Sequence, residues 1–257
     1  MYRPVAFLST LILGLMPALA FAADPAPAAA PTAFTDAQKA AIEEIVRELL
    51  TKKEPDLVIK AAQEMQNKQE TEIAAKSQQA LATNKDKIYN DPNAPVAGNP
   101  KGNVTMVEFF DYQCGFCKTT YDNIMKLLAE DKNVKFVFKE FPILGPNSMV
   151  TSKAALASVK QGKYPKFHEA LMRTKEQLSE DVVMRVAKTV GLDTDKLKKD
   201  MADESIEKMI KANLALGGEI GARGTPSFVI GDQVYPGAMQ FDHMKKAVED
   251  ARKGAKK

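Results

Sequence analysis

The stretch FFDYQCGFCKTT, residues 109–120, holds the only two cysteines of a 257-residue chain, spaced C-x-x-C. The residues leading into it, NVTMVEFF (103–110), are β-branched and aromatic and predict a strand. The residues after it, TTYDNIMKLLAED (119–131), predict a helix with Ile124, Leu127 and Leu128 on one face. Cys114 therefore follows a strand, and Cys117 falls in the first turn of the next helix. Unpaired N–H groups and the helix dipole favour negative charge at that end. A thiol placed there has a depressed pKa and is a nucleophile near neutral pH. The C-x-x-C spacing lets the second thiol attack a mixed disulfide formed by the first, which is the minimum apparatus for thiol–disulfide exchange. Cys114, the outer position, is expected to attack, and Cys117, deeper in the turn, to resolve.

A lone cysteine pair has three other uses. A structural zinc site needs about four ligands at regular spacing. The other soft ligands, His168 and His243, are distant from the pair and from each other. Cu(I) accepts two thiolates, so copper binding at Cys114 and Cys117 stands as an alternative. The methionines are scattered as core residues are and do not form a copper-binding run. A purely structural disulfide between these positions would close a very small loop and stabilise little.

The start of the chain bears on where such chemistry operates. In MYRPVAFLSTLILGLMPALAFA (1–22) one arginine precedes an apolar run and a small-residue A-x-A end, the pattern of a cleavable signal peptide. The run is interrupted by Pro17 and is shorter than the roughly 20 residues of a spanning helix. Export permits disulfides. A chain of this length with 45% apolar residues can bury a core without disulfide staples, so the pair is better explained by chemistry than by scaffolding. The formal net charge of +3 is mild and spread along the chain, and the Lys-rich end RKGAKK reads as a solvated tail, so no nucleic-acid partner is expected.

ADPAPAAAPTA (23–33) reads as an extended linker. Residues 34–92 read as a helical segment. Thr35 is placed to cap a helix whose Ile42, Ile45, Val46, Leu49 and Leu50 form an apolar stripe. Pro55 breaks it, and residues 56–88 continue with an apolar stripe too thin to build a core alone. The stripe needs a partner, either the main domain or a second copy of the chain. NDPNAPVAGNPKG (90–102) is rich in turn formers and marks a boundary. Beyond it VKFVFKEFP (134–142) predicts a second strand, residues 147–215 several helices, TPSFVIGDQVYPG (225–237) a hairpin turning at Gly-Asp, and DHMKKAVEDARK a closing helix. The order is an α/β sheet domain interrupted by helices.

VEFFDYQCGFCK, FKEFP and GARGTPSFVIGD together resemble the DsbA-like branch of the thioredoxin superfamily, over about residues 95–257. With the helical N-terminal region they are most similar to ScsC-type proteins (suppressor of copper sensitivity C), periplasmic disulfide isomerases of which some are trimeric. The resemblance implies a thioredoxin fold over residues 93–257, with a helical insertion at about 146–216, preceded by an oligomerisation segment. Gly115-Phe116 departs from the Pro-His of strong oxidases. The implied activity is disulfide isomerase or reductase, with a dithiol oxidase as the alternative. Implied partners are misfolded or cysteine-containing periplasmic proteins, a membrane-bound thiol reductase of the DsbD/ScsB kind, and further copies of the chain, a trimer before a dimer.

The resemblance also assigns Thr225-Pro226 to a cis-proline loop beside Cys114. It assigns Glu108 to a buried carboxyl near Cys117 that accepts its proton. It implies no cofactor beyond the redox-active cysteine pair. Lys139 and Glu140 are expected as an exposed pair on the edge of a strand, with membership of the same charged cluster as Glu108 as the alternative. His168 is expected as a helix residue with a satisfied partner, and His243 as an ordinary residue of the last helix.

Overall fold

The computed structural model describes residues 34–254. The expected signal peptide (1–22) and linker (23–33) lie outside the described residues. The chain divides into two compact units at Ala61/Ala62.

In the first unit, α1 (Asp36–Glu48) begins at a capping box: the Thr35 hydroxyl accepts from the Gln38 backbone, and the Gln38 side chain accepts from the Thr35 backbone. A π-helical turn (Leu49–Lys53) follows, and α2 (Leu57–Thr83) starts beyond Pro55. The stripe expected on α1 is solvent-facing within the chain: Ile42, Ile45 and Val46 are all exposed.

The second unit is built on a five-stranded sheet of order β1-β3-β2-β4-β5. Its elements are the end of α2, α3 (Lys85–Tyr89), β1 (Val96–Gly98), β2 (Val104–Phe110), α4 (Gly115–Glu130), β3 (Val134–Glu140), α5 (Pro146–Ala157), α6 (Tyr164–Arg173), α7 (Glu180–Thr189), α8 (Thr194–Met201), α9 (Glu204–Glu219), β4 (Ser227–Ile230), β5 (Gln233–Pro236) and α10 (Phe241–Gly254). A 3₁₀ turn, Ser158–Gln161, joins α5 to α6. β2 and β3 run parallel, and β1, β4 and β5 pair antiparallel with their neighbours. Gly231 adopts a positive φ of 62°, the conformation that lets the β4–β5 hairpin turn at Gly231-Asp232.

Strand alternation gives the sheet two buried faces. Met106, Phe110, Phe136, Phe138 and Phe228 pack with α4, α10 and the inserted helices. Val107, Phe109, Val137 and Val229 pack with Leu81 of α2, Ile88 of α3, Leu216 of α9 and Ile220 just beyond its end. Each fully buried side chain of this kind contributes about 1.5–3 kcal/mol. Leu81 and Ile88 are the points at which the thin stripe of residues 56–88 finds a core. The Asn84 side chain donates to Glu219, and the Ser77 hydroxyl to the Ile220 carbonyl. At Gly217 a Cβ would meet the Phe141 ring at 2.5 Å, so α9 approaches the sheet closely there.

β1 lies inside the turn-rich stretch 90–102 and is absent from the sequence expectation. It pairs with Lys135–Val137 of β3, and beyond that pairing Asp91 on one face and α5 and α6 on the other cover Lys139 and Glu140, which overturns the reading of them as an exposed edge pair. Both are buried. Alternation sends them to opposite faces: Lys139 pairs with Asp91 at 2.6 Å, while Glu140 enters the face shared with the cysteines.

Candidate active site

β2 ends at Phe110 and the chain turns through Asp111, Tyr112 and Gln113 into α4. Asp111 fixes this turn. One carboxylate oxygen accepts the Gln113 N–H at 2.8 Å, and the other accepts the N–H groups of Ile143 and Leu144, each at 2.9 Å. A single buried carboxylate thus ties the entry of α4 to the loop after β3. The Asp-x-x-Cys spacing carries this signal in the sequence as an Asx turn, but no role was assigned to Asp111 there.

Cys114 is the N-cap of the 16-residue α4, with extended φ and ψ of −77° and 115°. Its thiol is lowered to about 5. The largest cause is the hydrogen bond from Cys117; Thr225 and the N–H groups of Cys117 and Phe116 add to it, and partial burial opposes them. The Sγ also lies 3.1 Å from the Thr225 carbonyl oxygen. That contact suits the protonated thiol, and the four donors outweigh it. Both cysteines are free.

Cys117 is fully buried one helical turn inward. Burial pushes its thiol far above the ordinary value, and its S–H bond to Cys114 and the charge of Glu108 add to the shift. The pair is therefore asymmetric: a thiolate at the rim and a thiol beneath it.

Thr225-Pro226 is a cis peptide bond. It sits at the start of β4, where Ser227 pairs with Phe109 of β2. That register brings a residue 111 positions later in the chain to Cys114.

Glu108 is buried on β2, on the cysteine face, and its Oε1 has no hydrogen-bond partner among the described residues. Burial, then the Cys114 thiolate, then Glu140 raise it well above the usual carboxylate range. A carboxyl that holds its proton more tightly than usual thus lies near both sulfurs.

His168, on α6, is buried with its Nδ1 2.7 Å from the Tyr112 hydroxyl. Its Nε2 has no partner among the described residues, so the expected satisfied histidine is satisfied on one side only. His243 is exposed on α10, with its ring edge-on to Tyr235.

Around the rim Phe116, Ile143 and Leu144 are exposed. A cleft of about 580 Å³ opens beside them, lined by Gln113, Gly115, Lys118, Leu144, Pro146 and Lys175 among others. Apolar side chains left in solvent around a nucleophile suit contact with an unfolded polypeptide. No group of three or more His, Cys, Asp or Glu arranged for a metal ion occurs among the described residues.

The family model of the DSBA-like thioredoxin domain matches residues 105–249. A thioredoxin-like oxidoreductase from Silicibacter pomeroyi DSS-3 is 45% identical, with a TM-score of 0.65, covering 66% of this chain and 98% of its own. Proteus mirabilis ScsC in a compact conformation is 29% identical, with a TM-score of 0.65, covering 85% of this chain and 100% of its own. Disulfide bond formation protein D of Bacillus subtilis is 27% identical over 175 residues, 62% of this chain and 78% of that protein. Na(+)/H(+) antiporter NhaA 3 of Salinispora tropica also matches, 25% identical over 158 residues, but the chain spans only 24% of its length. The N-capping cysteine, the buried second thiol and the adjoining Thr-Pro loop thus sit within residues 105–249, and the chain belongs to the DsbA-like thioredoxin family as a thiol–disulfide oxidoreductase.

Proposed function

We propose that the protein is a periplasmic disulfide isomerase that works on cysteine-containing protein substrates. The asymmetry of Cys114 and Cys117 is the observation that carries this reading. The Cys114 thiolate attacks a substrate disulfide, forming a Cys114–substrate disulfide and expelling the other substrate sulfur as thiolate. A second substrate thiolate can then attack the bound substrate sulfur, which forms a new substrate disulfide and regenerates the Cys114 thiolate with no net redox change. In the escape route Cys117 gives its proton to the Glu108 carboxylate and attacks the Cys114 sulfur. The substrate leaves reduced, and the enzyme holds a Cys114–Cys117 disulfide. Forming the mixed disulfide removes the thiolate charge beside Glu108. Its proton affinity falls at the step that needs a base.

Escape oxidises the enzyme, so a source of electrons is required, and a membrane-bound thiol reductase of the DsbD/ScsB kind fits. Exposed Ile42, Ile45 and Val46 on α1 support assembly of several copies, a trimer before a dimer. Such an assembly would surround one substrate with several thiolates. Cu(I) capture by the same two sulfurs is the competing reading. It needs two thiolates, and burial holds Cys117 as a thiol, so exchange fits the pair better.

Reactivation of scrambled ribonuclease by the reduced protein tests the proposal. Recovery of activity without added oxidant is expected. Efficient oxidation of reduced ribonuclease with no unscrambling would assign a dithiol oxidase instead. Stoichiometric Cu(I) uptake with neither activity would assign copper binding.

A further inference from the structure

Exchange as described makes no use of Glu140, yet this acid has the most elaborate buried hydrogen-bond shell near the site. Its Oε1 accepts from Tyr112 at 3.3 Å and from Tyr164 at 3.0 Å, and its Oε2 accepts from Ser152 at 2.7 Å. Tyr112 belongs to the turn into α4, Ser152 to α5 and Tyr164 to α6. The Tyr112 hydroxyl also touches His168 Nδ1 at 2.7 Å.

The direction of the chain of protons follows from the orphaned His168 Nε2. A buried N–H without an acceptor is rarer and costlier than an unfilled lone pair. His168 therefore carries its proton on Nδ1 and donates it to the Tyr112 oxygen. Tyr112 then donates its own proton to Glu140. All three hydroxyls point their protons at one carboxyl group and suit its charged form.

Glu140 does not sit alone. Phe110 pairs with Glu140 and Glu108 with Phe138 on the parallel β2–β3 ladder. The two glutamates therefore lie on one face of adjacent strands, two positions apart. Two carboxyls so placed cannot both ionise cheaply. Glu140 holds the three donors, while Oε1 of Glu108 has none among the described residues. We propose that Glu140, with Tyr112, Ser152, Tyr164 and His168, is a positioning acid: it takes the first negative charge of the carboxyl pair and so keeps the remaining proton on Glu108, next to Cys117.

The pKa directions agree. Burial raises Glu140 to about 8 against the pull of its three hydroxyls, and Glu108 is raised well above the usual carboxylate range. The other groups facing the pair are the two cysteines, Asp111, and the tyrosines and His168 already named. Lys139 lies on the opposite face with Asp91. From α9, Asn213 donates to the Glu140 backbone carbonyl, at 3.2 Å.

This inference rests on the exchange reading, and one experiment separates the two. A mixed disulfide of Cys114 with a small thiol is formed, and release of that thiol by Cys117 is followed by stopped flow across pH. In wild type the rate should rise along an acid limb set by the second deprotonation of the pair. Glu140→Gln should move that limb down by about one pH unit, a roughly tenfold faster release below the midpoint. Tyr112→Phe, which keeps the ring, should move it the same way by less, and Glu140→Asp should restore much of the wild-type profile. An unchanged limb in a folded Glu140→Gln or Tyr112→Phe protein would overturn the proposal. No release from wild type at any pH would overturn the exchange reading and the proposal with it.

Discussion

The Sγ of Cys114 lies 3.1 Å from the carbonyl oxygen of Thr225, 111 residues further along the chain. One residue caps the active-site helix and the other opens β4, and the antiparallel pairing of Ser227 with Phe109 holds them together. The reactive sulfur thus faces backbone from a separate part of the chain.

The thiolate should be directly visible. Titration of the reduced protein by absorbance near 240 nm should give a Cys114 midpoint of about 5. Cys117→Ala removes the largest lowering contact, and the midpoint should rise by at least one unit. A wild-type midpoint near the ordinary thiol value of 9.0 would remove the basis for Cys114 as attacking sulfur.

Glu108→Gln should separate the two chemical steps. Attack by Cys114 on a small disulfide should change little, because that step moves no proton at Glu108. Resolution by Cys117 should slow about 100-fold, the usual scale for loss of a positioned base. Equal slowing of both steps would point to a structural defect.

Asp111 supports the turn into α4 through three backbone N–H groups. Asp111→Ala would leave buried donors unpaired and should destabilise the protein by about 3 kcal/mol. Urea unfolding of the reduced protein checks it; a loss below about 1 kcal/mol would mean that the loop at residues 143 and 144 relaxes and solvates those groups.

Buried His168 should make the fold acid-sensitive. Its folded pKa is pushed down by burial to about 3, from the ordinary 6.5. A base depressed in this way contributes stability that is present above the unfolded value and is lost as pH falls from 6.5 toward 3. Relative to His168→Phe, wild type should lose about 1.4 kcal/mol per pH unit in that window and should show no relative change above it. Parallel stability curves would mean that the His168 pKa is not depressed in the fold.

The exposed stripe on α1 should govern assembly. Ile45→Asp with Val46→Asp changes two exposed side chains and should lower the solution mass to that of one chain without shifting the melting temperature. Light scattering reads the mass directly, and an unchanged oligomer would place the interface elsewhere.

The parts of the site legible in the sequence are those written locally. Cys114 and Cys117 share one helical turn, whereas the places of Thr225-Pro226 and Glu108 follow from the resemblance to DsbA-like proteins and not from local pattern. Cys117 falls in the first turn of α4, which starts at Gly115, as the strand-then-helix pattern around the pair implies. β1 was hidden because its three residues sit between turn formers and gain strand character only by pairing with β3. The Glu140 network was hidden for a similar reason. Its donors come from the turn into α4, from α5 and from α6, and no spacing in the sequence announces that their hydroxyls meet one carboxyl. Lys139 and Glu140 read as an edge pair because the segments that cover them, Asp91 on one face and α5 and α6 on the other, come from other parts of the chain.

The most direct test of the account is a trapping experiment with a folded protein substrate that carries a disulfide. Cys117→Ser protein, reduced and mixed with that substrate, should accumulate a mixed disulfide, and peptide mass spectrometry should place the bond at Cys114. Cys114→Ser protein should form none. A bond at Cys117, or no adduct with Cys117→Ser under conditions where wild type turns over, would contradict the assignment of Cys114 as the attacking thiolate and Cys117 as the thiol that resolves it.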